Sequence, residues 1–246
     1  HAAEVLSRRA PEGITVTDHT DQVECMLLTG PKSREILAQL TNADLSGPWL
    51  SANLDASVAG KSAALLRVSF AGELGWEIHC APEDAPAIWD AVTGAGAKPF
   101  GMWALDSLRL EKAYRGWKGD LSTDYTLVQS GLDRFIDWTK DFPGKPALEA
   151  EKSGGPVKSF VTLNVDAKDT DAPYMASIWL NGEIVGEVTS GGYGDRVDRS
   201  LALGMLRTDL ATEGTVVEID IFGDRVPATV AGDGPFWDPK NERIRA

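Results

Sequence analysis

The groups in this sequence that could do chemistry are few, and most sit without obvious partners. The histidines are His1, His19 and His79, and the cysteines are Cys25 and Cys80. None falls at ligand spacing from another and there is no CxxC pair, so the sequence predicts no metal site. Both cysteines lie in apolar strand-like runs, Cys25-Met-Leu-Leu and Trp-Glu-Ile-His-Cys80, which predicts two buried free thiols. Two carboxylates stand among glycines and aromatics in Phe70-Ala-Gly-Glu73-Leu-Gly-Trp-Glu77. Period-two alternation puts Trp76, Ile78 and Cys80 on one side of a strand there, and Glu77 and His79 on the other. On the residues alone, Glu77 is a solvated strand carboxylate. Glu73 is a loop residue that shapes the turn, with Gly72 and Gly75 permitting close backbone approach. Arg109 stands near Asp106 and Glu111, which predicts an ion pair along a helix. Trp103, Trp117 and Tyr193 could line an aromatic ligand pocket, although core packing is the ordinary use of such rings.

The elements that must position these groups follow from periodicity. Residues 1–10 read as a helix, and Val23–Thr29 as a short strand broken by Gly30-Pro31. Pro31 suits the first turn of a helix running to Leu40, with Ile36, Leu37 and Leu40 on one face. A loop rich in Asn, Asp, Gly and Pro covers about 41–60. Strands follow at Ser62–Ser69 and Gly75–Cys80. One helix then opens at Pro82, carries Ile88, Trp89 and Val92, and ends at Gly94 to Gly96. Another covers Trp103 to Tyr114. This order predicts an α+β half with helices on an antiparallel sheet. Residues 116–146 read as loop with short helical pieces, and Ser153-Gly-Gly-Pro156 as a boundary. Beyond it come strands at Ser159–Val165, Ser177–Leu180, Glu183–Thr189, Leu201–Leu206, Val216–Ile221 and Arg225–Val230. Asn181-Gly182 and Phe222-Gly223 are hairpin turns. Short strands at this density predict a small antiparallel barrel or sandwich.

Composition narrows the partners. The 246 residues are 43% apolar and 25% charged, an ordinary globular balance. With 24 basic against 37 acidic residues the formal charge is −13, which disfavours nucleic acid and anionic membrane as partners. No apolar run is long enough to span a bilayer, and Arg8-Arg9 is not followed by a signal-like apolar stretch. These features predict a cytoplasmic protein, or a mitochondrial matrix protein in a eukaryote. No GxGxxG fingerprint for a dinucleotide occurs.

Three ordered stretches carry a resemblance. They are Ser69-Phe-Ala-Gly-Glu-Leu-Gly-Trp-Glu-Ile78, Ala104-Leu-Asp-Ser-Leu-Arg-Leu-Glu-Lys112, and Gly182-Glu-Ile-Val-Gly-Glu-Val-Thr-Ser-Gly-Gly-Tyr193 with the later Ser200-Leu-Ala-Leu-Gly-Met205. Together they resemble the aminomethyltransferase family, whose best-known member is the T-protein of the glycine cleavage system. The run through Lys112-Ala-Tyr-Arg-Gly-Trp117, with Gly131-Leu-Asp-Arg-Phe135 and Phe142-Pro-Gly-Lys145, is closer to the C-terminal folate-binding part of dimethylglycine and sarcosine dehydrogenases. The resemblance implies an antiparallel sheet with packed helices, a partial folate-binding domain over 1–152, and a C-terminal β-barrel over 156–246. Family members carry a further segment before the point matching His1, so the chain reads as starting within a domain.

The same resemblance implies tetrahydrofolate as cofactor and Glu77 as the carboxylate that accepts the paired N–H donors of the pterin edge. It places Phe70 where the family usually has Tyr, which keeps a stacking face and loses the hydroxyl. Leu105 replaces an arginine that meets the folate tail in T-proteins, leaving Arg109 and Arg115 as substitutes. Glu73, Tyr193 and Trp117 complete the implied cofactor-binding set. The family's catalytic aspartate has no match here. The implied activity is capture of a one-carbon unit from oxidative N-demethylation as 5,10-methylenetetrahydrofolate. Any FAD would be carried by a separate amine dehydrogenase domain or partner chain. Methyl transfer from another donor and a non-catalytic folate-binding module are the alternatives.

Overall fold

A computed structural model describes residues 2–246 of the chain. The chain divides into two compact units, one of residues 1–69, 73–99 and 243–246 and the other of residues 70–72 and 100–242. The expected helix at 1–10 is present as α1 (Ala2–Arg9), its first residue lying outside the described ones.

The first unit is a four-stranded antiparallel sheet in the order β1-β4-β3-β2. Its elements are β1 (Glu24–Thr29), α2 (Ser33–Ala38), β2 (Ala52–Val58), β3 (Lys61–Leu66), β4 (Gly75–Cys80) and α3 (Ala85–Gly94). In β4, Trp76, Ile78 and Cys80 are buried while Glu77 and His79 are not, the split that alternation predicts. Trp76 and Ile78 join Leu28, Val58 and Leu65 of the sheet, Leu37 of α2 and Ile88 of α3 in one apolar cluster. Both helices therefore cover one face of the sheet. Ser33, at the start of α2, donates its hydroxyl to the Leu74 carbonyl at 2.9 Å and ties that helix to the turn before β4.

The segment read as loop over 41–60 contains strand β2. Its buried positions are small or branched, Ala56 and Val58, and its outward positions include Asn53 and Asp55. Pairing with β3 across the Ala59-Gly60 turn overrides that weak local preference.

The second unit contains α4 (Met102–Glu111), α5 (Lys145–Gly154) and a closed barrel. The barrel strands are β5 (Lys158–Val165), β6 (Ser177–Leu180), β7 (Glu183–Gly194), β8 (Arg199–Arg207), β9 (Val216–Ile221) and β10 (Asp224–Gly232). They close in the order β10-β5-β8-β7-β6-β9, every pair antiparallel, so no strand edge is left to solvent. Asn181 and Gly182 have φ of 51° and 83°, the left-handed pair that the tightest hairpin turn requires. Strand β7 runs to Gly194 and not to Thr189. The Ser-Gly-Gly-Tyr193 segment beyond Thr189 continues as extended chain, because β8 supplies ladder partners as far as Gly194 opposite Arg199. Helix α5 was not legible as such. Its start carries Pro146 in the first turn, and Gly155 at φ 81° ends it.

The barrel core is aliphatic, with Leu163, Ile178, Val188, Leu206 and Ile219 all inaccessible to solvent. Among the described residues no helix is long and apolar enough to cross a membrane. Truncating Ile219 to Ala removes side-chain volume from this closed interior, where no edge can shift to refill it. Urea unfolding of Ile219→Ala is expected to show a loss of about 2–5 kcal/mol with the m-value unchanged.

Candidate functional site

Strand β4 lies between β1 and β3, and its face turned away from α2 and α3 carries Glu77 and His79, with Cys25 of β1 beside them. Pairing sets Cys25 directly opposite His79, and Leu27 and Leu66 on either side of Glu77. The Glu77 and His79 side chains keep 31% and 28% of their surface exposed, so both are restrained by neighbours yet open to a ligand. His79 Nε2 stands 3.0 Å from Glu77 Oε2 and 3.7 Å from Cys25 Sγ. The three donor atoms all lie within 4.8 Å of one another. Sequence spacing hid this grouping: Glu77 and His79 share a strand face, but Cys25 reaches them only through the β1–β4 register.

The reading of two buried thiols holds for Cys80 and fails for Cys25, which is exposed; neither forms a disulfide. Partial burial and then the Glu77 charge push the Cys25 thiol up to about 11.

In the second unit, Phe70 is 38% exposed and stacks on Tyr114 with ring centroids 6.0 Å apart at 17°. Gly72 has φ +72°, and a Cβ there would fall 2.2 Å from Lys112 Cγ. Lys112 is itself buried, its ammonium donating to the Asp238 carbonyl at 2.8 Å and Asn241 Oδ1 at 2.9 Å. The glycine is therefore required for both turn and packing. Glu73, in the first unit, lies half-buried in the turn that leads into β4.

Arg109 does meet Asp106, at 3.1 Å, but its principal partner is one the sequence did not suggest. Its Nη1 donates at 2.8 Å to Asp120, whose side chain is fully buried, and Nη2 donates to Ser190 Oγ at 2.9 Å. Asp120 also accepts from the Gly116 amide at 2.7 Å and from the hydroxyls of Thr189 and Ser190. Arg109 thus joins α4 to β7 and has most of its donors engaged. Glu111 pairs instead with Arg196. Arg115 donates to the Ser130 and Ala113 carbonyls and lies with its guanidinium 3.7 Å from the Phe160 ring centroid. Burial, then the nearby Arg134 charge, brings it down to about 10.

The aromatic candidates are not core residues. Trp103 is 92% exposed, Trp117 77% and Tyr193 44%. The Tyr193 hydroxyl donates to Asp198 at 2.6 Å.

Two outcomes follow from this geometry. Asp120→Ala leaves the Arg109 guanidinium buried without its counter-charge, and calorimetric unfolding is expected to show a loss of about 3–5 kcal/mol. At Cys25 the thiol is protonated near neutrality. Alkylation is expected to be slow there, to climb still between about pH 8 and pH 10, and to quicken at fixed pH in Glu77→Gln.

Residues 1–140 match the GCVT N-terminal domain and residues 158–238 the glycine cleavage T-protein C-terminal barrel domain. Human mitochondrial dimethylglycine dehydrogenase is 34% identical over 225 residues, 88% of this chain and 26% of that protein. Aminomethyltransferase of Synechococcus sp. (strain CC9902) is 33% identical over 237 residues, 95% of this chain and 64% of the relative. The chain therefore spans about a quarter of the first protein and just under two thirds of the second. The crystal structure of glycine cleavage system aminomethyltransferase T from Bartonella henselae has the same fold, with a TM-score of 0.83 at 23% identity over 94% of this chain and 64% of that one. The chain belongs to the aminomethyltransferase (glycine cleavage T-protein) family.

Proposed function

We propose that this chain binds tetrahydrofolate and serves one-carbon transfer of the dimethylglycine or sarcosine type. The oxidation that releases the one-carbon unit would be carried by a flavin-bearing dehydrogenase domain or partner. The single observation that carries this reading is the setting of Glu77, a partly exposed carboxylate between the apolar side chains of Leu27 and Leu66 on the face of the sheet turned away from α2 and α3.

A flat heterocycle with an apolar face and a paired N–H edge fits that arrangement. Leu27 and Leu66 would take the ring face, and the carboxylate would accept the edge donors in two parallel hydrogen bonds. His79 holds Oε2 at 3.0 Å and so fixes the carboxylate plane before a ligand arrives. Each hydrogen bond gains strength as the ring excludes water from that face. Folate, when bound, supplies the nitrogens that take up the one-carbon unit as 5,10-methylenetetrahydrofolate. The protein's contribution is to hold those nitrogens where a reactive fragment arrives before water does.

Similarity to human dimethylglycine dehydrogenase over 88% of the chain supports the N-demethylation context. Phe70, Tyr193 and Trp117 each offer an accessible ring in the second unit. With its donors committed to Asp106, Asp120 and Ser190, Arg109 is assigned to holding α4 on β7, and the folate reading does not depend on it.

Calorimetric titration with tetrahydrofolate is expected to show Glu77→Gln binding more weakly by about 1–3 kcal/mol, as loss of a charge-assisted contact requires. Equal affinity in the two proteins would remove Glu77 from the site.

A further inference from the structure

We propose that Cys25, Glu77 and His79 form a site for a single Zn²⁺ ion with three protein ligands and one open position. Three different donor types converge here on one point of the sheet face, with Cys25 Sγ 3.7 Å and Glu77 Oε2 3.0 Å from His79 Nε2. Ligand atoms placed tetrahedrally at zinc bond lengths of roughly 2.0–2.3 Å stand about 3.3–3.7 Å apart. The two separations from His79 approach that geometry, and all three donor atoms lie within 4.8 Å of one another, so side-chain adjustment alone brings them to a common ion.

The donor set selects the metal. One thiol sulfur, one imidazole nitrogen and one carboxylate suit zinc, whereas calcium and magnesium require mostly oxygen. The positions are rigid because all three residues belong to paired strands, with Cys25 directly opposite His79 and Glu77 two residues before it. Partial exposure of Glu77 and His79 leaves the fourth position facing solvent. The formal charge of −13 favours accumulation of a divalent cation near the chain. A plain Glu77–His79 ion pair accounts for two of these residues, and Cys25 approaches the same His79 nitrogen at 3.7 Å.

This site goes beyond the folate reading and stands without it. Where both hold, they share Glu77, so zinc occupancy would draw the carboxylate away from the pterin edge and weaken folate binding.

The test is titration of the metal-free chain with Co²⁺ in the absence of folate, so that its failure and failure of the folate reading are separate results. The expected outcome is one equivalent of tetrahedral cobalt with a thiolate-to-metal charge-transfer band that Zn²⁺ displaces. Cys25→Ser, on the exposed edge strand, should lose that band, while Cys80→Ala should keep it. His79→Ala and Glu77→Gln should each weaken Zn²⁺ binding about tenfold or more. Circular dichroism would establish that each variant is folded. Absence of the charge-transfer band in the parent chain, or its persistence in Cys25→Ser, would overturn the proposal.

Discussion

The first unit depends on the strict alternation of β4. Trp76, Ile78 and Cys80 are buried while Glu77 and His79 point away, and a shift of one residue would exchange the two sets. Such a shift would bury a carboxylate and an imidazole under α2 and α3 and expose a tryptophan. The cost of burying those groups without partners is several kcal/mol, more than the hydrogen bonds of a slipped ladder could return. The apolar core thereby specifies the placement of the polar face. What Glu77 can do is fixed by where Trp76 and Ile78 must go.

The second unit solves a different problem, since it buries charge deliberately. Asp120 lies fully buried among Arg109, the Gly116 amide, Thr189 and Ser190, so both carboxylate oxygens are satisfied. Glu111 is likewise buried and accepts from the Arg196 amide and guanidinium. These contacts attach α4 to β7 and to the loop that follows it, with directionality that an apolar interface would lack. Ion pairs this deep add less to stability than their number suggests, because each charge was first taken out of water. Their effect is to fix one relative placement of helix and barrel strands within the unit.

Much of this architecture was legible in the sequence. The barrel strands announced themselves through short apolar runs and the Asn181-Gly182 and Phe222-Gly223 turns, all of which are local. Strand β2 did not, because Asn53, Asp55 and small alanines carry little β preference and the strand forms only against β3. The site was legible as single residues and not as a constellation. Glu77 and His79 could be placed on one face from their spacing, but Cys25 lies 54 residues before His79 and joins them only through strand register. Asp120 had no signal at all, since an acid after Lys118-Gly119 reads as a solvated loop residue. Arg109 was read through Asp106 and Glu111, the acids near it in sequence, whereas its deepest partner, Asp120, comes from the loop after α4.

Why the candidate chemistry lies on the polar face of β4, and not in the charge networks of the second unit, follows from the same energetics. Arg109, Asp120, Glu111 and Arg196 have found their partners inside the protein, and a ligand would have to break those contacts to use them. Glu77 is held by His79 and stays partly exposed, with Leu27 and Leu66 beside it. A ligand that covers those leucines removes water from the carboxylate at the moment it supplies new donors, so the lost hydration is replaced as it is lost. A group of this kind costs the fold little in the free state and gains most when something binds. The networks in the second unit are already at their most favourable without a ligand, which suits them to holding the scaffold in place.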